Sequence, residues 1–284
     1  MKNHSDYLLR FMLESLPVRG AVVNLTEGLA RLCDNHQYTE GEQKLLSECV
    51  MANVLMTSHL KIDGLVSIQA KGEGNVRLLA SDCDNTFRYR GLLESSHGYC
   101  EEKALLENLL LTMTLEPAKG QRYQSIVPVE SGSLSKAFET YFDQSEQLPT
   151  AFRFAFDGDQ AVGLMLQLLP EERERADDWE HIGVLLNTLT DQEMLGLSVD
   201  DWLYRLFHQE GVRLYDDRPV HFGCTCSREG YERALISLGK QEIEAILAEQ
   251  GKVETQCHFC HETYVFDAGD ITELFSSGSD TASH

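Results

Sequence analysis

The sequence predicts an α+β protein: an N-terminal, mostly antiparallel sheet with packed helices, then a helical linker, then a small C-terminal domain built around cysteines. Three observations predict it. Helix and strand patterns share the first 170 residues, where the strands read as an antiparallel meander. At Pro170 the character changes abruptly to Glu171-Glu172-Arg173-Glu174-Arg175, followed by large apolar residues at helical spacing. Four of the eight cysteines form two tight pairs near the C-terminus.

Leu45, Leu46, Cys49, Val50, Val54 and Leu55 recur at helical spacing between Thr39 and Leu60, with so few charges in the second half that the helix is predicted to be buried. Asp63-Gly64 stops it. Strand patterns follow at Val66–Lys71, Val76–Ala80 and Thr86–Arg90, joined by the turns Gly72-Glu73-Gly74-Asn75 and Asp82-Cys83-Asp84-Asn85. A further strand is expected within Leu109–Leu115. The stripe Leu134, Ala137, Phe138, Tyr141 and Phe142 predicts a helix ending before Pro149, and strands are expected at Ala151–Phe156 and Gly163–Leu169.

The change at Pro170 marks a domain boundary. Thr190-Asp191-Gln192-Glu193 is a capping-box pattern, and Gly196 can end the short helix it starts. Ser198 offers a second cap, with Trp202, Leu203, Leu206 and Phe207 forming an apolar face that runs to Gly211. Helices this short are marginal alone, so their stability must come from packing, and a linker that borrows its stability can lose it. The expected organisation is a core over 1–170, a linker over 171–223, a cysteine-bearing domain over 224–275 and a disordered tail over 276–284.

A length of 284 residues suits one good-sized core plus a smaller module. The net charge of −22 is spread along the chain: acids outnumber Lys plus Arg by 22 to 15 over residues 1–170, 13 to 5 over 171–223 and 11 to 4 over 224–284. That field repels nucleic-acid phosphate and anionic lipid, so neither nucleic acid nor membrane is expected as a partner. No apolar run approaches the roughly 18 residues that span a bilayer, and Arg10 interrupts any signal-peptide core, so a cytoplasmic location is expected. The cytosol keeps thiols reduced, which makes metal binding or redox chemistry the first expectation for the cysteines.

Cys224-Thr225-Cys226 and Cys257-His258-Phe259-Cys260 flank residues 227–256, which hold no cysteine and one helical pattern: Glu242, Ile243, Ile246 and Leu247 before Gly251. Four thiolates can surround one Zn²⁺ tetrahedrally at about 2.3 Å and leave no position for substrate water, so the expected zinc site is structural. An iron–sulfur cluster fits the ligand count but not the usual spacings. Each pair is also close enough in sequence for a local disulfide, provided the backbone sets the Cα atoms about 4.4–6.8 Å apart. Zinc and disulfide therefore compete for the same sulfurs. Zinc contributes on the order of 10–16 kcal/mol in small zinc peptides, so oxidising its ligands should eject the ion and unfold the module.

His221, His258 and His261 lie beside the cysteines, but four thiolates saturate zinc, so these are expected outside the coordination shell. Cys33 and Cys49 sit in helical patterns and read as inert core thiols, while the acids after Cys100 oppose its thiolate. Asp200-Asp201 and Asp216-Asp217 read as solvated caps. Gly72-Glu73-Gly74 precedes a strand and Gly239-Lys240 lacks an upstream glycine, so neither supports phosphate binding. No enzyme is expected. The rivals are a static zinc-ribbon adaptor for a protein partner, and a dithiol oxidoreductase, in which the Cys-x-Cys pair would have no task.

At the cysteine motifs the sequence resembles the 33 kDa chaperonin (heat shock protein 33) family, redox-regulated bacterial holdases. The matching residues are Cys224-Thr225-Cys226-Ser227-Arg228, Glu242-Ile243, Ile246-Leu247-Ala248-Glu249, and Cys257-His258-Phe259-Cys260 with Tyr264 and Phe266-Asp267. Upstream, Val18-Arg19-Gly20, Asp63-Gly64, Arg122-Tyr123-Gln124, Tyr141-Phe142, Ser145–Pro149 and Gln167–Pro170 extend it over nearly the full chain. The resemblance implies an ATP-independent chaperone that is inactive while reduced and zinc-bound. Oxidation would form two disulfides, Cys224–Cys226 and Cys257–Cys260, release zinc, melt module and linker, and expose surface that holds unfolding client proteins. It also implies a homodimer on activation, with a monomer expected when reduced. Two positions depart from the pattern: His261, where a left-handed turn is expected to survive, and Val162-Gly163-Leu164 within a glycine-rich stretch of the core.

Overall fold

In the computed structural model the described residues are 5–34, 36–60, 63–96, 106, 109–129, 133–169 and 176–277. Two compact units divide the chain, residues 1–223 and 224–284. The first begins with β1 (Tyr7–Leu13), β2 (Val18–Leu25), α1 (Glu27–Cys33) and α2 (Glu40–His59). Strands β3 (Gly64–Gly72), β4 (Val76–Asp84) and β5 (Arg88–Ser95) form the predicted meander, β6 (Leu109–Pro117) is the further strand expected within Leu109–Leu115, and β7 (Tyr123–Pro128) has no predicted counterpart. Helix α3 (Leu134–Tyr141) widens into a π turn at Phe142–Glu146 before β8 (Thr150–Phe156) and β9 (Ala161–Leu168). The segment expected as a helical linker, which belongs to this same unit, supplies α4 (Ala176–Leu186), α5 (Asp191–Gly196) and α6 (Val199–Phe207), then three short strands, β10 (Val212–Leu214), β11 (Arg218–Pro219) and β12 (His221–Phe222).

One sheet has the order β10-β1-β2-β9-β8, with β11 also on β1; the other runs β12-β5-β4-β3-β6-β7. Among the described residues every pairing in these two sheets is antiparallel except that of β12 with β5. Helix α2 packs against strands of both sheets, which is why it carries so little charge: Leu46, Cys49, Val50, Met51 and Leu55 are all fully buried. A capping box closes its start, with the Glu42 N–H donating to the Thr39 hydroxyl and the Thr39 N–H donating to the Glu42 carboxylate at 2.7 Å.

The opposite face of the first sheet is covered by α4–α6. Phe11, Val22, Leu164 and Leu166 from the sheet meet Ile182, Leu186, Trp202, Leu203 and Phe207 from the helices in one apolar cluster. The predicted caps hold these helices at their starts: the Glu193 N–H donates to the Thr190 hydroxyl at 3.2 Å, and the Asp201 N–H donates to Ser198 at the same distance. Close approach inside the sheet uses Gly20, where a Cβ would fall 2.2 Å from the Phe11 ring across the β1–β2 pair.

The second unit comprises α7 (Arg228–Leu238), α8 (Lys240–Gln250), the hairpin β13 (Val253–Gln256) and β14 (Thr263–Phe266), and α9 (Ala268–Ser277). Its fully buried apolar side chains are few: Leu235, Ile243, Val253, Phe266 and Ile271 form its core.

The α+β class and antiparallel sheet agree with the sequence, but several elements differ. Strands β1 and β2 carry no predicted counterpart, because β2 lies between two apolar layers and is buried on both faces, which erases the alternation that marks a strand. The linker ends in strands, not helix. The cysteine-flanked segment holds two helices where one was expected; α7 buries only Leu235 and so shows little apolar periodicity. Cys83 lies inside β4 instead of a turn, and β5 starts at Arg88 because Phe87 adopts φ 61°. Helix α9 reaches Ser277, two residues into the expected tail. Cys100, the boundary stretch at 170–175 and residues 278–284 lie outside the described residues.

Candidate metal centre

The second cysteine pair stands at the tip of the β13–β14 hairpin. Gln256 and Thr263 form the last ladder pair, the Cys257 N–H donates to the Glu262 C=O at 2.9 Å, and the His261 N–H donates to the Cys257 C=O at 2.8 Å. His261 closes this turn in the left-handed region at φ 57°, the conformation expected of it. Burial opposes ionisation of the Cys257 thiol, but the amides of Cys260 and Phe259 and the neighbouring thiols of Cys224 and Cys260 outweigh it and bring the group down to about 7. Burial and neighbouring sulfurs push Cys260 the other way. The two thiols of this turn, Cys257 and Cys260, thus differ in acidity.

The first pair lies in the extended loop that enters α7. Ser227 caps that helix, its hydroxyl accepting the Gly230 N–H at 3.1 Å. The Tyr264 hydroxyl donates to the Cys226 sulfur at 3.3 Å, and the Tyr264 ring lies 4.8 Å from that of Tyr231. Burial raises Cys226, the Tyr264 bond only partly offsetting it.

The four sulfurs lie within 4.8 Å of one another, with Cys224 to Cys257 at 3.6 Å and Cys226 to Cys260 at 3.4 Å. Four sulfurs at about 2.3 Å from a common centre in tetrahedral array would stand about 3.8 Å apart. The cluster therefore fits a tetrathiolate ion, while its separations are far beyond the about 2.05 Å of an S–S bond. Among the described residues, no histidine belongs to this group. His221 lies on β12, and His258 and His261 occupy the hairpin turn.

Arg228 ties the frame together. Its guanidinium donates to the Val265 C=O at 2.9 Å, pairs with Asp270 at 2.8 Å and stacks over Phe266 at 4.3 Å. It joins the start of α7 to β14 and the start of α9, where Asp267 and Asp270 cap each other's N–H at 2.9 Å. The sequence marked Arg228 only as a neighbour of Cys226; no local pattern reveals a tie across 37 residues. Away from the cluster, burial pushes the thiols of Cys33 and Cys83 up to about 11 and about 12, and that of Cys49 higher still, as inert core positions require.

Fold and cluster define a thiol-rich, metal-competent protein in which a small tetracysteine module follows an α+β unit. The crystal structure of the 33 kDa chaperonin (heat shock protein 33 homolog) from Thermotoga maritima shares the fold at a TM-score of 0.81 and 24% identity, covering 96% of this chain and 99% of that one. The 33 kDa chaperonin of Ectopseudomonas mendocina is 41% identical over 288 residues, covering 98% of both chains, and that of Shewanella loihica is 41% identical over 276 residues, covering 96% of both. Residues 6–267 match the family model described as Hsp33 protein. The chain belongs to the Hsp33 family of chaperones, as its cysteine motifs predicted. No helix among the described residues is long and apolar enough to cross a membrane.

Proposed function

We propose that the chain is a redox-regulated, ATP-independent holdase of the cytoplasm, silent while reduced and zinc-bound and active once its four clustered cysteines are oxidised. The observation that carries this reading is the contrast between the second unit's core of five fully buried apolar side chains and the four sulfurs gathered within 4.8 Å. A module with so small a core depends on its ion. Cys224, Cys226, Cys257 and Cys260 are the zinc ligands.

Oxidation takes two electrons per disulfide. Two molecules of peroxide convert the four ligands to Cys224–Cys226 and Cys257–Cys260 and are reduced to water, and zinc leaves for want of thiolates. The module then unfolds. In this reading 1–170 is the stable core and 171–223 is the linker that releases with the module, uncovering the sheet face now occupied by Trp202, Leu203 and Phe207. Unfolding clients bind there, the activated protein is a homodimer and the reduced one a monomer, and no catalysis, nucleic acid or membrane is involved.

The test compares suppression of client aggregation by the reduced protein and after peroxide at mildly raised temperature, without ATP, while a chromophoric chelator follows zinc release. Equal activity before and after oxidation refutes the switch and favours a static zinc-ribbon adaptor.

A further inference from the structure

The first unit gathers cationic side chains at a place the chaperone reading does not use. Arg10 of β1, Arg19 of β2, Ser58 and His59 at the end of α2, and Tyr215 after β10 line a cavity of about 240 Å³. In a chain with 46 acids against 24 Lys and Arg, no carboxylate among the described residues lines it. The Arg19 guanidinium donates to a neutral partner, the Gln167 side-chain carbonyl, from Nε at 3.0 Å and also from Nη2. Among the described residues neither arginine forms an ion pair.

The available counter-charge is small. The last carbonyls of α2 present the equivalent of about half a negative charge. One of them, the Leu55 C=O, already accepts the Ser58 hydroxyl at 2.6 Å and meets His59 Nδ1 at 3.1 Å. Two guanidiniums bring two positive charges, which outweigh that partial charge at the cavity wall. His59 registers the excess: burial, then Arg19 and, to a smaller degree, Arg10 hold its imidazole down to about 4.

We propose that this cavity is a binding site for a small oxyanion, with a phosphate group as the ligand chemistry that its two guanidiniums recognise, His59 and Tyr215 lining the cavity beside them. The Tyr215 N–H donates to the Arg10 C=O at 2.9 Å, so a bound anion also ties the segment after β10 to β1, β2 and the end of α2.

The test titrates the reduced full-length protein with inorganic phosphate, and separately with adenosine monophosphate, against sodium chloride at matched ionic strength. Calorimetry gives the affinity and NMR follows the His59 imidazole. Saturable one-site binding with a Kd of about 1 mM is expected, together with a rise of the His59 pKa from about 4. Arg10 is exposed, so Arg10→Gln should fold normally and bind about tenfold more weakly; Arg19→Lys, which keeps charge but loses the fork, should also weaken binding. Binding of both probes assigns a terminal phosphate as sufficient, and binding of inorganic phosphate alone assigns the free ion; either supports the site. No saturable binding of either probe, or wild-type affinity in Arg10→Gln with His59 unmoved, overturns it.

Discussion

Replacing Phe207 with alanine separates the linker's docking from the stability of everything else. The Phe207 side chain is fully buried on α6, with its ring 6.2 Å from Phe11 of β1. Truncating a buried phenylalanine costs about 3–5 kcal/mol. Helices α4, α5 and α6 span 11, 6 and 9 residues, too short to persist undocked, so the loss falls on their contact with the sheet. A change of about 4 kcal/mol shifts the docked–released equilibrium by about a thousandfold. Limited proteolysis of the reduced protein should therefore cut within 176–211 far faster in Phe207→Ala, in proportion to the open population. The same variant should suppress client aggregation with little or no peroxide, while Phe207→Leu, which keeps most of the apolar volume, should stay near the parent. If the reduced alanine variant keeps parental protease resistance in this segment while its global melting temperature falls, the linker does not open separately and the reasoning fails.

Chelating the metal from the reduced protein should unfold the second unit and leave residues 1–170 folded, seen as partial loss of far-UV helical signal with the main melting transition retained; the linked free energy is about 10–16 kcal/mol. Arg228→Gln removes ion pairs to Asp270 and Glu232, a cation–π contact and a carbonyl bond, and should lower module stability by about 2 kcal/mol and speed zinc transfer to a chromophoric chelator. His59 gives a pH signature: its folded pKa of about 4 lies below its ordinary 6.5, so between these values the unfolded chain binds a proton the folded chain refuses. Stability should be unaffected above pH 6.5 and fall by up to about 3 kcal/mol as pH drops toward 4. In denaturant titrations in phosphate-free buffer, His59→Gln should flatten that slope.

The cysteine pairs, the buried helix and the linker caps were legible because each is written locally. Thr190 with Glu193 and Ser198 with Asp201 are four-residue patterns, and the structure forms both. Even the left-handed turn at His261 followed from residue type. What escaped was set by distant partners. Strand β2 lost its alternation because layers from far along the chain cover both faces, and α7 lost its stripe because a tiny core asks it for one side chain. The pockets of charge escaped for the same reason: Arg10, Arg19, His59 and Tyr215 meet only after β1, β2, α2 and the linker have come together.

The segment from Val212 to Phe222 has a further consequence. Strands β10 and β11 cover the outer side of β1, and β12 covers the outer side of β5, so one ribbon hems the border of both large sheets. An uncovered border offers rows of unsatisfied amides to any other extended chain, including a second copy of itself. Selection on these residues therefore concerns more than joining two parts of a polypeptide. A chain truncated after Gly211 would keep its main core yet carry two raw margins, and would be expected to clump.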